Sequence, residues 1–519
     1  MDGEPRLTPD MIRRVIFFRA GVLSTYKKEN IVVGLSADGA AYNGIADDPR
    51  SSAGTVGFSV QAQPNWADRL LFEGRGLSSG NTTQEESVDT LNGTLNAAYL
   101  HKFSPEVSTV VQSSYDRFRV NTNRPFYDQN IGYTTIENGV ENTDLFLVPL
   151  DQRSKRYETS VVNEAQMIAK YGAVNSILTL RNANSDIDSY DRSVATLDPE
   201  TGDTTLFQSS GPVNVNGSSV SYLGDYLLTK ALHLNFGGEY EHVEWADRDE
   251  APFNSERAGR DLVSPKAGFV YRPDETMALR AGYGESLGKG TRTDLISVEP
   301  TMIGGITQRY NDLPGTRAQN LGFGADFKSL EDTYFGAEWT RRWLDESQAV
   351  SVYNIVDDFD SGQSYNDVAN APRYDQPIGQ DFISSYLYRV LDRHWVAGTD
   401  YRYVGQRMSG DDASQSRDHR GTAFTRYFFN GGLFLQGSTT YRYQSRNNVA
   451  TDVGDSPNGT DNAWLFGAGI GYRLPTRQGM LMLDVQNIFG QDINLSQLSY
   501  FNEPVFNDPT VRLVANFNF

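Results

Sequence analysis

The chain has 519 residues, no cysteine, a formal charge of −20 at pH 7, and 12% aromatic residues, with 28 Tyr, 27 Phe and 48 Gly. The acidic balance excludes a nucleic-acid partner, whose phosphates need a basic face, and the missing thiols exclude disulfides, thiolate metal sites and cysteine nucleophiles. No run of about 18 apolar residues occurs, which excludes membrane-spanning helices; aromatic richness in an otherwise polar chain suits strands that are apolar on one face only.

At the N-terminus, MDGEPRLTPDMIRRVIFFRAG lacks the basic, apolar and small-residue order of a secretory signal. Met11 to Ser24 reads either as an extra strand or as the last helix of an upstream domain, capped by Thr8 or Asp10. Residues 1–29 are therefore set apart from a strand-rich region, 30–519.

From Asn30 onward, stretches of about ten residues alternate in polarity, the mark of half-buried strands. Leu232, Leu234, Phe236 and Tyr240 oppose His233, Asn235, Glu239 and Glu241. Trp395, Ala397, Thr399, Tyr401 and Tyr403 oppose Gly398, Asp400 and Arg402. Trp464, Phe466, Ala468, Ile470 and Tyr472 oppose Gly467, Gly469, Gly471 and Arg473. The closing TVRLVANFNF places Val511, Leu513, Ala515, Phe517 and Phe519 on one face, with Arg512, Asn516 and Asn518 on the other.

Between strands, tight turns at 63–68, 101–106, 271–276, 328–333, 391–394 and 474–479 alternate with long polar connections. The long ones lie near 122–156, 190–215, 246–260, 288–317, 357–376, 445–461 and 490–509. A meander with all tight turns at one end and all long loops at the other fits a transmembrane barrel. The prediction is an all-β, antiparallel up-and-down barrel of about 20–22 strands in a bacterial outer membrane, with an even strand number. A propeller would show self-similarity every 40–50 residues, which is absent. Sandwich strands average about five or six residues, shorter than these. Trp245, Tyr271, Tyr283, Trp339, Tyr403, Tyr443, Trp464 and Tyr472 lie near strand ends, as interfacial girdles require. A barrel this wide holds water or a plug in its lumen, since side chains alone cannot fill it.

The chemistry of catalysis is poorly supplied. His101, His233, His242, His394 and His419 are the only histidines, and no metal or cofactor is expected. The acidic tracts 356–367 and 410–418 lack EF-hand spacing and read as solvated loops. No P-loop or HExxH motif occurs, and no enzyme is expected. Glu239, Arg280, Asp400, Arg402, Arg442, Arg473 and Asp484 fall on the inward parity. Such charges either set solute selectivity or pair across strands to stabilise a wet wall. The loop aromatics Tyr310, Phe359, Tyr365, Tyr374, Phe501 and Phe506 are candidates to grip an apolar or aromatic ligand at the mouth, or to pack the loops.

The closing block LFGAGIGYRLPTRQGMLMLDVQNIFGQDINLSQL…VRLVANFNF resembles the last strands of TonB-dependent outer-membrane receptors. Those end in a strand, a tight turn, a strand closing on an Asn-Leu-Phe-like corner (here Asn487-Ile488-Phe489-Gly490) and a final strand ending in Phe. The stretch VSPKAGFVYRPDETMALRAGYGESLGKGTRTDLISVEPTMIGG is also similar, with its Ser-Pro-Lys strand, tight turn, Leu-Arg-Ala strand and long loop. The resemblance runs from about Leu262 onward. It implies a transporter or channel in contact with outer-membrane lipid, a periplasmic energising partner, and a terminal aromatic, Phe517 or Phe519, read by the barrel-assembly machinery. Similar barrels also follow tetratricopeptide repeats. The family's plug and TonB-contacting segment have no counterpart here, because strand patterning begins within the first 30 residues or so. Three readings follow: uptake with a plug lying upstream, a plugless pore or general porin, or an export channel for a secreted polymer with a periplasmic repeat partner.

Overall fold

The fold is that of a computed structural model, which describes residues 16–43, 50–82, 87–137, 140–198, 203–246, 257–288, 302–308, 312, 315–329, 332–348, 351–358, 363–370, 374–409, 414–447, 450–451, 454–455, 459–475, 479–491 and 509–518. Its regular structure is strand throughout, in one 23-stranded sheet and two small hairpins. Consecutive wall strands pair antiparallel, as the period-two alternation and short turns predict. One hairpin, Ser351–Asp358 with Gln363–Asn370, stands off the circuit, because its flanking strands Thr333–Gln348 and Tyr374–Val390 pair directly with each other. Among the described residues, twenty-one strands remain in the wall.

That number falls within the expected 20–22 but is odd, where an even one was expected. In a meander an odd count makes the first and last strands run in the same direction. Accordingly, Thr510–Asn518 pairs antiparallel with Gly479–Gln486 but parallel with Ile16–Lys28, from Ile16 opposite Val511 to Leu23 opposite Asn518. The segment around Met11 to Ser24 was open between helix and strand; its described part, from Ile16, is strand. The sheet closes on itself, so both edges are paired.

The pleat sends successive side chains to opposite sides of the wall. Outward lie Val111, Leu180, Val220, Phe236, Val263, Phe323, Leu435, Phe466 and Ile470, all exposed. Inward lie buried Asp116, Glu158, Glu164, Glu239, Glu241, Asp418, Arg442 and Asp484. A soluble protein would reverse this, so the outer face is one that meets lipid. Aromatic rings band it near both ends. Trp395 and Tyr427 (centroids 5.1 Å apart) lie by the short turns, and Tyr403, His419 and Tyr443 (4.7 and 5.5 Å) lie toward the long connections. Trp339 stacks on Phe323 at 6.0 Å, and Trp464 meets Tyr441 at 5.0 Å. The side chain of Trp245 lies outside the described residues. Phe323→Arg, about halfway up the outer face, is expected to cost about 2–4 kcal/mol in urea unfolding from lipid vesicles. The same change at lumen-facing Thr440 is expected to cost much less.

The short turns are held by side-chain caps. Asp392 accepts the backbone N–H groups of His394 (2.6 Å) and Trp395 (2.9 Å), which hold its carboxyl below the usual range. Asn65 does the same for Ala67 and Asp68 at 2.8 and 2.9 Å. At the other end, two expected long loops are something else. Connections 122–156 and 190–215 consist mostly of strands that continue past the membrane, Val107–Glu137 with Val140–Tyr171 and Val174–Asp198 with Asp203–Leu227. Their Asn- and Asp-rich composition belongs to a two-faced strand wetted on one side. The hidden face carries Ile131, Val148, Leu150, Ala195 and Phe207, which pack into one apolar cluster.

The hairpin 351–370 uses that cluster. Strand Ser351–Asp358 pairs parallel with Val107–Glu137, from Tyr353 opposite Ile131 to Asp358 opposite Ile136, and Ile355 packs on the cluster. Its root is on Thr333–Gln348, far round the wall from the strand it joins, so it spans the mouth. The acidic tract 356–367, expected as a solvated loop, is therefore largely strand. Ladder pairing of its backbone outweighs the polarity of its side chains.

Candidate transport lumen

The inner face is a set of charge pairs fixed by strand register. Glu239 and Lys266 on neighbouring strands form a buried ion pair. Beside it, Glu241 accepts Ser264 Oγ (2.6 Å) and the backbone N–H of Leu287 (3.1 Å). Arg280 lies between Asp326 (2.9 Å) and Glu338 (3.5 Å). Arg442 donates to Asp418 at 3.1 Å, and Gln444 donates to the same carboxylate oxygen at 3.1 Å. Asp484 accepts Arg512 (2.9 Å) and Gln486 (3.0 Å). The Arg473 guanidinium sits 4.5 Å from the Phe428 ring centre and 5.9 Å from that of Phe434, a cation–π arrangement. Asp400 and Arg402 share the inner face with buried Val404, and Arg402 is exposed to the lumen. Of the seven expected lumen charges, Glu239, Arg280, Arg442 and Asp484 are thus tied into ion pairs, Arg473 is stacked on rings, and Arg402 is open to solvent.

A small hairpin occupies the lumen. Met302–Ile303 and Ile306–Thr307 turn at Gly304 and Gly305, whose φ values of 56° and 75° suit glycine. Ile303 and Ile306 are fully buried against the wall. The Gly304 N–H donates to Asn235 Oδ1 at 2.8 Å, and Arg280 Nη1 donates to the Gly305 carbonyl at 3.3 Å. Beneath the hairpin the wall is paved with glycine. A Cβ on Gly282 would lie 2.1 Å from the Ile303 oxygen, one on Gly322 would lie 2.4 Å from Ile306 Cγ2, and one on Gly268 would lie 2.7 Å from Gly304 N. Gly282 is five residues above the strand's start at Met277, or roughly 12 Å above the short-turn end for strands tilted about 40°. The hairpin tip therefore reaches the lower half of the lumen.

Higher up, the same connection is pinned again. Arg342 donates to both oxygens of Asp312 (2.7 and 2.8 Å), to Asn320 Oδ1 (2.8 Å) and to Gln380 Oε1 (3.1 Å). Arg260 donates to the Gly315 carbonyl and to Asp345, each at 2.8 Å. None of this was expected from the sequence, which assigned 288–317 to a polar loop. One signal was present: glycines on the inner parity of adjacent strands, which mark close backbone approach.

The other candidates are placed as follows. Tyr310, Phe359, Phe501, Phe506 and Phe519 lie outside the described residues. Tyr365 and Tyr374 belong to strands Gln363–Asn370 and Tyr374–Val390, with side chains outside the described set. Phe517 lies in the last strand, opposite Gly479 and Val22. His242 points outward and bonds Asp261 (2.9 Å) and Glu244 (3.1 Å). Among the described residues, no three His, Asp or Glu side chains are grouped to hold a metal ion.

A closed wall with a wet, charged lumen and an obstructed passage is a transporter's geometry, and comparison with known families agrees with it. The family described as TonB dependent receptor-like, beta-barrel matches residues 29–488. The chain belongs to this family. Members of the TonB-dependent receptor family are outer-membrane transporters of Gram-negative bacteria, not enzymes. No curated protein matches the chain. Among solved structures, it is similar to the ferric-catecholate import receptor Fiu of E. coli K12 in its closed form (14% identity, TM-score 0.57, covering 92% of this chain and 78% of that one). It is also similar to the copper transporter OprC (13%, 0.61, 96% and 78%). A third is BauA, the ferric preacinetobactin receptor of Acinetobacter baumannii (11%, 0.60, 96% and 79%). At these identities the likeness concerns the fold, and this TonB-dependent receptor-like barrel shares its wall with proteins of different cargo.

Proposed function

We propose that this TonB-dependent receptor-like barrel performs ligand-selective uptake, driven by a periplasmic energising partner, and does not act as an open general porin. The observation that carries the reading is double occupancy of the route: hairpin 351–370 spans the mouth and hairpin 302–307 fills part of the lumen. Arg402, Arg473 and Asp400, with the paired charges Glu239, Arg280, Arg442 and Asp484, set the selectivity of the remaining space. The arginines favour an anionic solute, and an anionic metal chelate is the class consistent with Fiu and BauA, which import or bind ferric chelates.

The test uses the absence of native cysteine. Thr134 and Val356 face each other in the pairing of hairpin and mouth, so Thr134→Cys with Val356→Cys allows the hairpin to be locked. Oxidation is expected to lower uptake of a radiolabelled ferric chelate at least tenfold, with recovery on adding reductant. Undiminished uptake in the locked form would sink the proposal.

We also propose that Phe517 and Phe519 serve recognition by the assembly machinery. Deleting Phe519 is expected to reduce the amount of membrane-folded, heat-modifiable protein in cells; normal folded yield would count against that role.

A further inference from the structure

Three arginines on the outer, lipid-facing side of the wall belong to none of these elements. Arg341, Arg407 and Arg417 line a cavity of about 510 Å³, together with Trp343, Gly379, Asp381, Tyr403 and Gly405. Strand register builds it. Along one rung Arg341 lies opposite Asp381, Asp381 opposite Gly405, and Gly405 opposite Arg417. Along the next, Trp343 lies opposite Gly379, Gly379 opposite Arg407, and Arg407 opposite Gln415. Gly379 leaves its part of the floor without a side chain, with the nearest guanidinium nitrogen of Arg341 3.8 Å from where a Cβ would stand, while the Tyr403 hydroxyl covers Gly405.

Its charge is unbalanced. Among the described residues, Asp381 is the one carboxylate lining the cavity, 3.5 Å from Arg341, leaving two of the described arginines in excess on a protein of formal charge −20. The Arg341 guanidinium lies 5.3 Å from the Trp343 ring centre, and its Nε is shielded from solvent without a hydrogen-bond partner. Arginines so disposed offer forked donors that match phosphate oxygens.

Height selects the ligand. Asp381 and Gly379 are nine and eleven residues above Val390, the end of their strand at the short turn. At about 3.3 Å per residue and a tilt of about 40°, they stand roughly 23–28 Å above that end. This is the upper edge of an apolar band about 25 Å tall. The ring of Tyr403, in contact with His419, marks the interface beside it. The cavity therefore opens sideways into the headgroup layer of the outer leaflet.

We propose that this cavity binds a phosphate of the phosphorylated glycolipid of the outer leaflet, whose acyl chains lie along the apolar wall below. The full chain in detergent would be titrated with diphosphoryl lipid A and examined by native mass spectrometry. Dephosphorylated lipid A, phosphatidylglycerol and inorganic phosphate serve as comparison probes. Diphosphoryl lipid A is expected to bind at least tenfold more tightly than each of them. Arg407→Ala with Arg417→Ala should remove that preference, while Arg407→Lys, which keeps charge but loses the fork, should weaken it partly. Arg119→Ala, at another exposed arginine on the outer face, should leave it intact. Equal binding of dephosphorylated lipid A or phosphatidylglycerol, equal competition by inorganic phosphate, full binding by the double variant, or equal loss in Arg119→Ala would each overturn the assignment.

Discussion

Gly304→Val should unseat the lumen hairpin and raise single-channel conductance in planar bilayers severalfold, without altering heat-modifiable migration. The expectation rests on distances that leave no room to adjust. A Cβ at position 304 would lie 1.9 Å from the Ala281 oxygen and 2.7 Å from Phe269 N, both backbone atoms of the wall. The φ of 56° is one a β-branched residue resists. The tip must therefore lift, and Ile303 and Ile306 lose their burial, at about 1.5–3 kcal/mol each. Two hydrogen bonds, Gly304 to Asn235 and Arg280 to Gly305, are lost with them. The wall should not follow, because the hairpin forms a sheet of its own. Gly282→Val attacks the same contact from the wall side and should act alike. Conductance unchanged in both variants would mean that the hairpin does not narrow the passage.

Lys266→Met is expected to be the most destabilising single substitution inside the lumen. It takes from the Glu239 carboxylate, which is 1% exposed, the neutralising ammonium that is 8% exposed beside it. Breaking one half of a buried pair typically costs about 3–5 kcal/mol, because the surviving charge stays desolvated. The double variant Glu239→Gln with Lys266→Met removes that charge and should recover most of the loss. Urea-unfolding midpoints in lipid vesicles measure both. Equal midpoints for wild type and Lys266→Met would show that lumen water screens the pair.

Much of the wall was legible because its information is local. Leu234, Phe236 and Tyr240 alternate with Asn235, Glu239 and Glu241 whatever the strand pairs with, so facing follows from period two alone. Asp392 and Asn65 cap turns within three residues of themselves, and those turns were found. The mouth and lumen were harder to read for the opposite reason. The connection 288–317 around the short apolar stretch 302–307, and residues 351–370, are polar enough for a solvated loop, and a water-filled lumen asks for the same polarity as bulk solvent. Composition therefore cannot separate a loop waving outside from a hairpin folded within. Only the glycines of the facing strands, Gly268, Gly282 and Gly322, carried a trace of what sits on them.

By itself, then, the sequence determined an all-β membrane wall, its lipid and lumen faces, its two unlike ends and the charges that line it. Each of these depends on residues one or two apart. The tertiary structure decided the odd strand number with its parallel seam, the continuation of four strands beyond the membrane, and the bridging of the mouth. It also decided the seating of Ile303 and Ile306 on a glycine floor, and the gathering of Arg341, Arg407 and Arg417 around one cavity. These depend on which distant strands become neighbours, and that is settled only when closure of the barrel has satisfied every backbone hydrogen bond in the wall.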